Sequence, residues 1–148
     1  MQAAHRAADL RLETLAQGLK VISLTHLGLL DEAALLATCV LENARQVSDP
    51  DTLLRSYVNL CVFYLASGDA SLAAKTLLEQ LALFDKFGDL SGLATNLANL
   101  GYSYLQLGLY AEGRSALERA RKITSEIGAR MLAAYTGLNL GLANLRDG

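Results

Sequence analysis

The segments NLCVFYLASG (residues 59–68) and NLGYSYLQLG (residues 99–108) carry one pattern at a spacing of 40, and NLGLANLRDG (residues 139–148) carries it again. Asn59, Asn99 and Asn139 open the three copies, each followed by a leucine. Gly28, Gly68, Gly108 and Gly148 fall in register, as do Gly88 with Gly128 and Tyr64 with Tyr104. Between residues 59–88 and 99–128, 7 of 30 positions are identical. Others exchange one apolar side chain for another, as at Val62 and Tyr102 or Leu83 and Ile123. The earlier part of the chain follows more loosely, through Ala33 with Ala73 and Asp9 with Asp49 and Asp89. A period of this size marks an array of small structural units, each of which needs its neighbours to bury its apolar face.

Within each unit the apolar residues recur every three or four positions, the stripe of an amphipathic helix. Leu93, Leu97, Leu100, Tyr104 and Leu107 form one stripe, and Ala116, Leu117, Ala120, Ile123 and Ile127 form the next. Gly108 and Gly128 stand where those helices should stop, since a left-handed C-terminal residue is easiest for glycine. Asp49 or Asp51 beside Pro50 suits the first turn of a helix. Each unit therefore reads as two antiparallel helices joined by a short glycine turn. The 33 leucines, 23 alanines and single proline point the same way.

These columns resemble the tetratricopeptide repeat. Its small first-helix residue matches Cys61, Gly101 and Gly141, its aromatic Tyr64 and Tyr104, its turn glycine Gly68 and Gly108, and its turn aromatic Tyr110. Its second-helix alanine matches Ala33 and Ala73, with Gly113 in the same column; its final small residue is met by Ala120, whereas Gln80 and Val40 depart from it. The tryptophan column and the closing proline of the family are absent. Because the standard unit is 34 residues, the chain is similar to the longer variant found in kinesin light chain, bacterial peptide-pheromone receptors, maltose-type transcription activators and some nucleotide cyclases. The resemblance implies an all-α, right-handed superhelical solenoid of about three and a half repeats.

The units run 9–48, 49–88 and 89–128, with a half unit over 129–148, and residues 1–8 align with the end of a preceding second helix. Met131, Leu132, Leu138, Leu140, Leu142 and Leu145 leave the last helix apolar on more than one side, which points to a segment of a larger protein. An apolar terminal helix could also stack against a second copy of the chain.

Composition excludes several classes. With 52% hydrophobic residues the chain is not disordered, and a net charge of −2 gives no positive field for nucleic acid. The uncharged run Leu90–Ala111 is long enough for a bilayer. Its three glycines and its many amides and hydroxyls argue instead for a buried helix followed by a turn. The first residues, MQAAHRAADLRLE, lack an apolar core after a basic start, so a cytoplasmic location is expected. His5 and His26 are isolated, the glycines occur singly, and no catalytic triad, metal cluster or phosphate loop is spelled out. The chain therefore reads as a non-enzyme with no cofactor and no metal. Arg114, Arg119, Arg121 and Lys122 alternate with Glu112, Glu118 and Glu126, as on a solvated helix face. Cys39 and Cys61 fit no zinc or disulfide spacing, and apolar neighbours predict that both are buried.

The asparagine column is the sharpest candidate site. In the family the first helices line a concave groove, and in long-repeat members such a ladder grips the main chain of an extended ligand. Carried over, that role falls on Asn59, Asn99 and Asn139. The same face would add Arg55, Val62 and Leu65, then Thr95, Tyr102, Leu105 and Gln106, then Tyr135, Leu142 and Arg146. A carboxamide both donates and accepts, which suits a peptide backbone; it equally suits a bridge between neighbouring helices. The groove is mostly apolar, so the expected partner is an extended or amphipathic helical protein segment, not an acidic tail. The resulting expectation is a peptide- or protein-binding scaffold within a signalling or transcription protein.

Overall fold

The computed structural model describes the backbone of residues 2–47 and 49–147, and the side chains of 5–47, 49–84 and 86–146. Seven helices account for nearly all of them: α1 (Gln2–His26), α2 (Leu30–Val47), α3 (Pro50–Ala66), α4 (Ala70–Phe87), α5 (Leu90–Gln106), α6 (Tyr110–Ile127) and α7 (Arg130–Asp147). The all-α helical repeat expected from the 40-residue period is present. Met1, Ser48 and the final Gly148 lie outside the described residues.

Turn chemistry explains the helix lengths. Gly28, Gly68 and Gly108 adopt φ of 76–78°, which only glycine takes without strain. After α5, the Gly108 N–H donates to the Leu105 carbonyl and the Leu109 N–H to that of Tyr104, closing the helix in a Schellman turn. The uncharged run at residues 90–111 is thus divided between α5, this turn and the start of α6. No helix among the described residues is long and apolar enough to cross a membrane. Asp49 caps α3, accepting from the Thr52 N–H at 3.1 Å, and Pro50 follows at the first helical position.

At the N-terminal end the helix is continuous. The column occupied by Gly88 and Gly128 holds Ala8, which has no preference for the left-handed backbone that stops a helix. Hence α1 runs through Ala8 and Asp9 for 25 residues, and Asp9 caps nothing; it lies 3.6 Å from His5 on the exposed side of the helix.

The chain divides into two units, Met1–Asp69 and Ala70–Gly148. In the first, Val21 and Leu24 of α1, Ala33, Ala37 and Val40 of α2, and Leu60 and Phe63 of α3 form one apolar cluster. Arg11 ties α1 to the start of α3, its Nε donating to Asp49 at 3.0 Å and to the Thr52 hydroxyl at 3.2 Å. In the second, Leu97 and Ala98 pack against Ala120, while Leu105 and Leu117 pack with Leu140 and Ala143 of α7. Gly101 and Gly113 let α5 and α6 approach closely. A Cβ on Gly101 would stand 2.5 Å from Leu117 Cγ and 3.0 Å from the Gly113 carbonyl.

The cysteines separate. Cys61 is buried, and desolvation pushes its thiol up to about 12, whereas Cys39 is exposed. The prediction that both are buried therefore fails for Cys39. Its apolar neighbours in sequence, Ala37 and Val40, turn to the core while position 39 turns outward.

Candidate functional site

In the second unit, Thr95, Asn99, Tyr102 and Gln106 recur at helical spacing along one side of α5. Thr95 and Gln106 are exposed, and Asn99 and Tyr102 half-buried. Tyr135, Leu142 and Arg146 lie along one side of α7, all exposed. The two rows belong to neighbouring helices, and the Tyr135 hydroxyl reaches Asn99 Oδ1 at 3.5 Å, long for a hydrogen bond. This face offers an amide, hydroxyls and apolar rings side by side.

Two residues assigned to the face sit inside instead. Leu105 is buried beside Leu117 and Leu140, because α6 and α7 both pack against that side of α5. Asn139 is 3% exposed, and its Nδ2 donates at 3.2 Å to the Tyr135 carbonyl of its own helix. As placed, neither can meet a ligand.

In the first unit, Asn59 is half-buried against α1, and a Cβ on Gly18 would overlap its Nδ2. Val62 and Leu65 are half-buried, and Arg55 is exposed, pairing with Asp51 one turn earlier at 2.9 Å. Thus Asn59 leans on α1 and Asn99 is approached by α7, so both touch a neighbouring first helix. The Asp49 carboxyl, bonded by the Thr52 hydroxyl and backbone and by Arg11, titrates below its ordinary value.

One polar pair escaped the sequence reading. Gln80 of α4 and Asn96 of α5 are 1% and 3% exposed, and Asn96 Nδ2 donates to Gln80 Oε1 at 2.6 Å. Their other amide atoms, Gln80 Nε2 and Asn96 Oδ1, are buried with no hydrogen-bond partner. The only signal was Gln80 in a column that otherwise wants a small residue. A second missed feature is an open cleft of about 440 Å³, bordered by Leu78 and Leu81 of α4, Leu97, Leu100 and Tyr104 of α5, and Glu112 and Arg119 of α6. It lies on the side of α5 opposite Asn99.

No protein-family model matches this chain, and no curated protein matches it. Among solved structures it is similar to the Signal Transduction ATPase with Numerous Domains (STAND) protein with a tetratricopeptide repeat sensor from Pyrococcus horikoshii. The TM-score is 0.84 at 19% sequence identity over 93% of this chain. The chain spans 21% of that protein's length. The likeness identifies the fold as a tetratricopeptide-like helical repeat.

Proposed function

We propose that this chain is a protein- or peptide-binding module, and that the side of α5 and α7 carrying Asn99, Tyr102, Tyr135 and Leu142 receives the partner. The observation that carries the reading is the partial exposure, on two neighbouring helices, of amide, hydroxyl and apolar groups in parallel rows. A core face would be closed, and a plain solvent face would be charged. Asn99 keeps its Nδ2 for a backbone carbonyl while Oδ1 accepts from Tyr135. Tyr102 and Leu142 offer apolar surface to an extended segment or the apolar side of a helix.

On this reading the module binds and does not catalyse, and it belongs to the regulatory part of a larger signalling or transcription protein. The similar Pyrococcus horikoshii protein, a signal-transduction ATPase whose repeats are described as a sensor, supports that placement.

The test is selection of displayed 16-residue peptides on the purified chain. Enriched peptides should be apolar, should bind Leu142→Asp at least tenfold more weakly, and should lose about 3- to 10-fold in affinity with Asn99→Ala. Both variants should melt near the wild type. Enriched peptides that bind both variants as tightly as the wild type would refute the assignment.

A further inference from the structure

The cleft on the side of α5 away from Asn99 has an apolar floor and a charged rim. Leu97 and Leu100 of α5 are buried and close the floor. Leu78 and Leu81 of α4 form one wall, Leu78 being 48% exposed. The other wall is α6, which presents Glu112, Ser115, Ala116 and Arg119, the i, i+3, i+4, i+7 stripe of one helix face. The two charged residues stand two turns apart, about 10.5 Å along the axis. Both are exposed, and neither has a salt-bridge partner among the described residues. The repeat itself does not call for this pair: forty residues earlier the same positions hold Leu72 and Glu79.

We infer that this cleft docks an amphipathic helix of a partner protein, laid antiparallel to α6. Its docking face carries a glutamate, leucines three and four positions later, and a lysine at the seventh. An open cleft does not enclose a small ligand, but it accepts the side-chain ridge of a helix. A helix has the same rise as α6, so its glutamate and lysine fall opposite Arg119 and Glu112 without adjustment. The antiparallel direction puts that glutamate toward the N-terminus of the partner helix and the lysine toward its C-terminus, as the helix dipole favours. Between the two ion pairs the leucines pack on Leu78, Leu81 and the ring of Tyr104. Within this chain the segment from Glu79 to Lys86 has the same charges, but Ala82 and half-buried Leu83 stand where leucines are needed. A second copy is therefore the poorer occupant. None of the residues used here belongs to the α5–α7 row of Asn99, Tyr102, Tyr135 and Leu142.

The probe is a capped, alanine-rich 16-residue helix with Glu, Leu, Leu and Lys at positions 5, 8, 9 and 12, titrated into the full chain by calorimetry. Two companion peptides carry Lys at both charged positions or Glu at both. Saturable one-to-one binding of the Glu/Lys peptide is expected, with each companion about 3- to 10-fold weaker. Arg119→Glu should reverse the order in favour of the Lys/Lys peptide, and Leu78→Asp should weaken the Glu/Lys peptide at least tenfold. Both substitutions are at exposed positions, and melts verify that the variants fold. Leu142→Asp should leave this binding unchanged, which separates it from the α5–α7 face. Absence of binding at millimolar peptide, equal affinity for the three peptides, or loss of binding with Leu142→Asp would overturn the inference. So would a wild-type oligomer in sedimentation that Leu78→Asp dissolves, because the cleft would then hold a second copy.

Discussion

Replacing the buried amides Gln80 and Asn96 by apolar side chains of similar shape gives a perturbation whose sign depends on whether one or both are changed. In the native chain they share one hydrogen bond of 2.6 Å and leave two further polar atoms without partners, all shielded from water. Asn96→Leu removes the bond and leaves both polar atoms of Gln80 buried and unpaired; Gln80→Met does the same to Asn96. Each single substitution should cost about 1–3 kcal/mol, the penalty for orphaning a buried polar group. For a chain of this size that lowers Tm by about 3–10 °C. The double substitution removes every orphan together with the bond, and it should return to within about 1 kcal/mol of the wild type or exceed it. Calorimetric melts of the four proteins close the cycle. If the double variant loses the sum of the two singles, the pair is not coupled. If both singles are neutral, the amides have other partners. Either result refutes the reasoning.

Other consequences are simpler to check. Gly101→Ala places a Cβ against Leu117 and the Gly113 carbonyl and should destabilise by about 1–3 kcal/mol. Gly141→Ala, one repeat later with open space around it, should stabilise by about 0.5–1 kcal/mol. Thermal melts of the two variants should therefore move in opposite directions. Asp49→Ala removes the cap of α3 and should cost about 1 kcal/mol at neutral pH. Because the folded carboxyl titrates below its ordinary value of 3.8, its contribution is complete above that value. It fades as pH falls through the lowered folded value. Wild type and Asp49→Ala should thus converge in urea titrations as the pH is lowered below about 4. A maleimide should label exposed Cys39 in the native chain, and Cys61 only after unfolding, because burial raises its thiol to about 12 and shields it.

Much of the fold was legible because its punctuation is chemical. Gly68 and Gly108 stop helices, Asp49 and Pro50 start one, and a 40-residue period states the unit. Where a glycine was missing, at Ala8, alignment alone suggested a break that the backbone had no reason to make. The candidate site was legible as a column but not in its rotation about the helix axis. A stripe spaced at three and four does not say whether Leu105 ends under α6 or in the open, nor that Asn139 turns inward. The Gln80–Asn96 bond joins two helices across 16 residues, and no local pattern marks it; only the misfit of Gln80 to its column hinted at it.

The most direct measurement is an NMR titration of the isotopically labelled chain with a peptide enriched on it. The account predicts that saturating shifts fall on Thr95, Asn99, Tyr102, Gln106, Tyr135 and Leu142. Shifts confined to the cleft of Leu78, Tyr104 and Arg119, or to Leu138, Gly141 and Leu145, would contradict it.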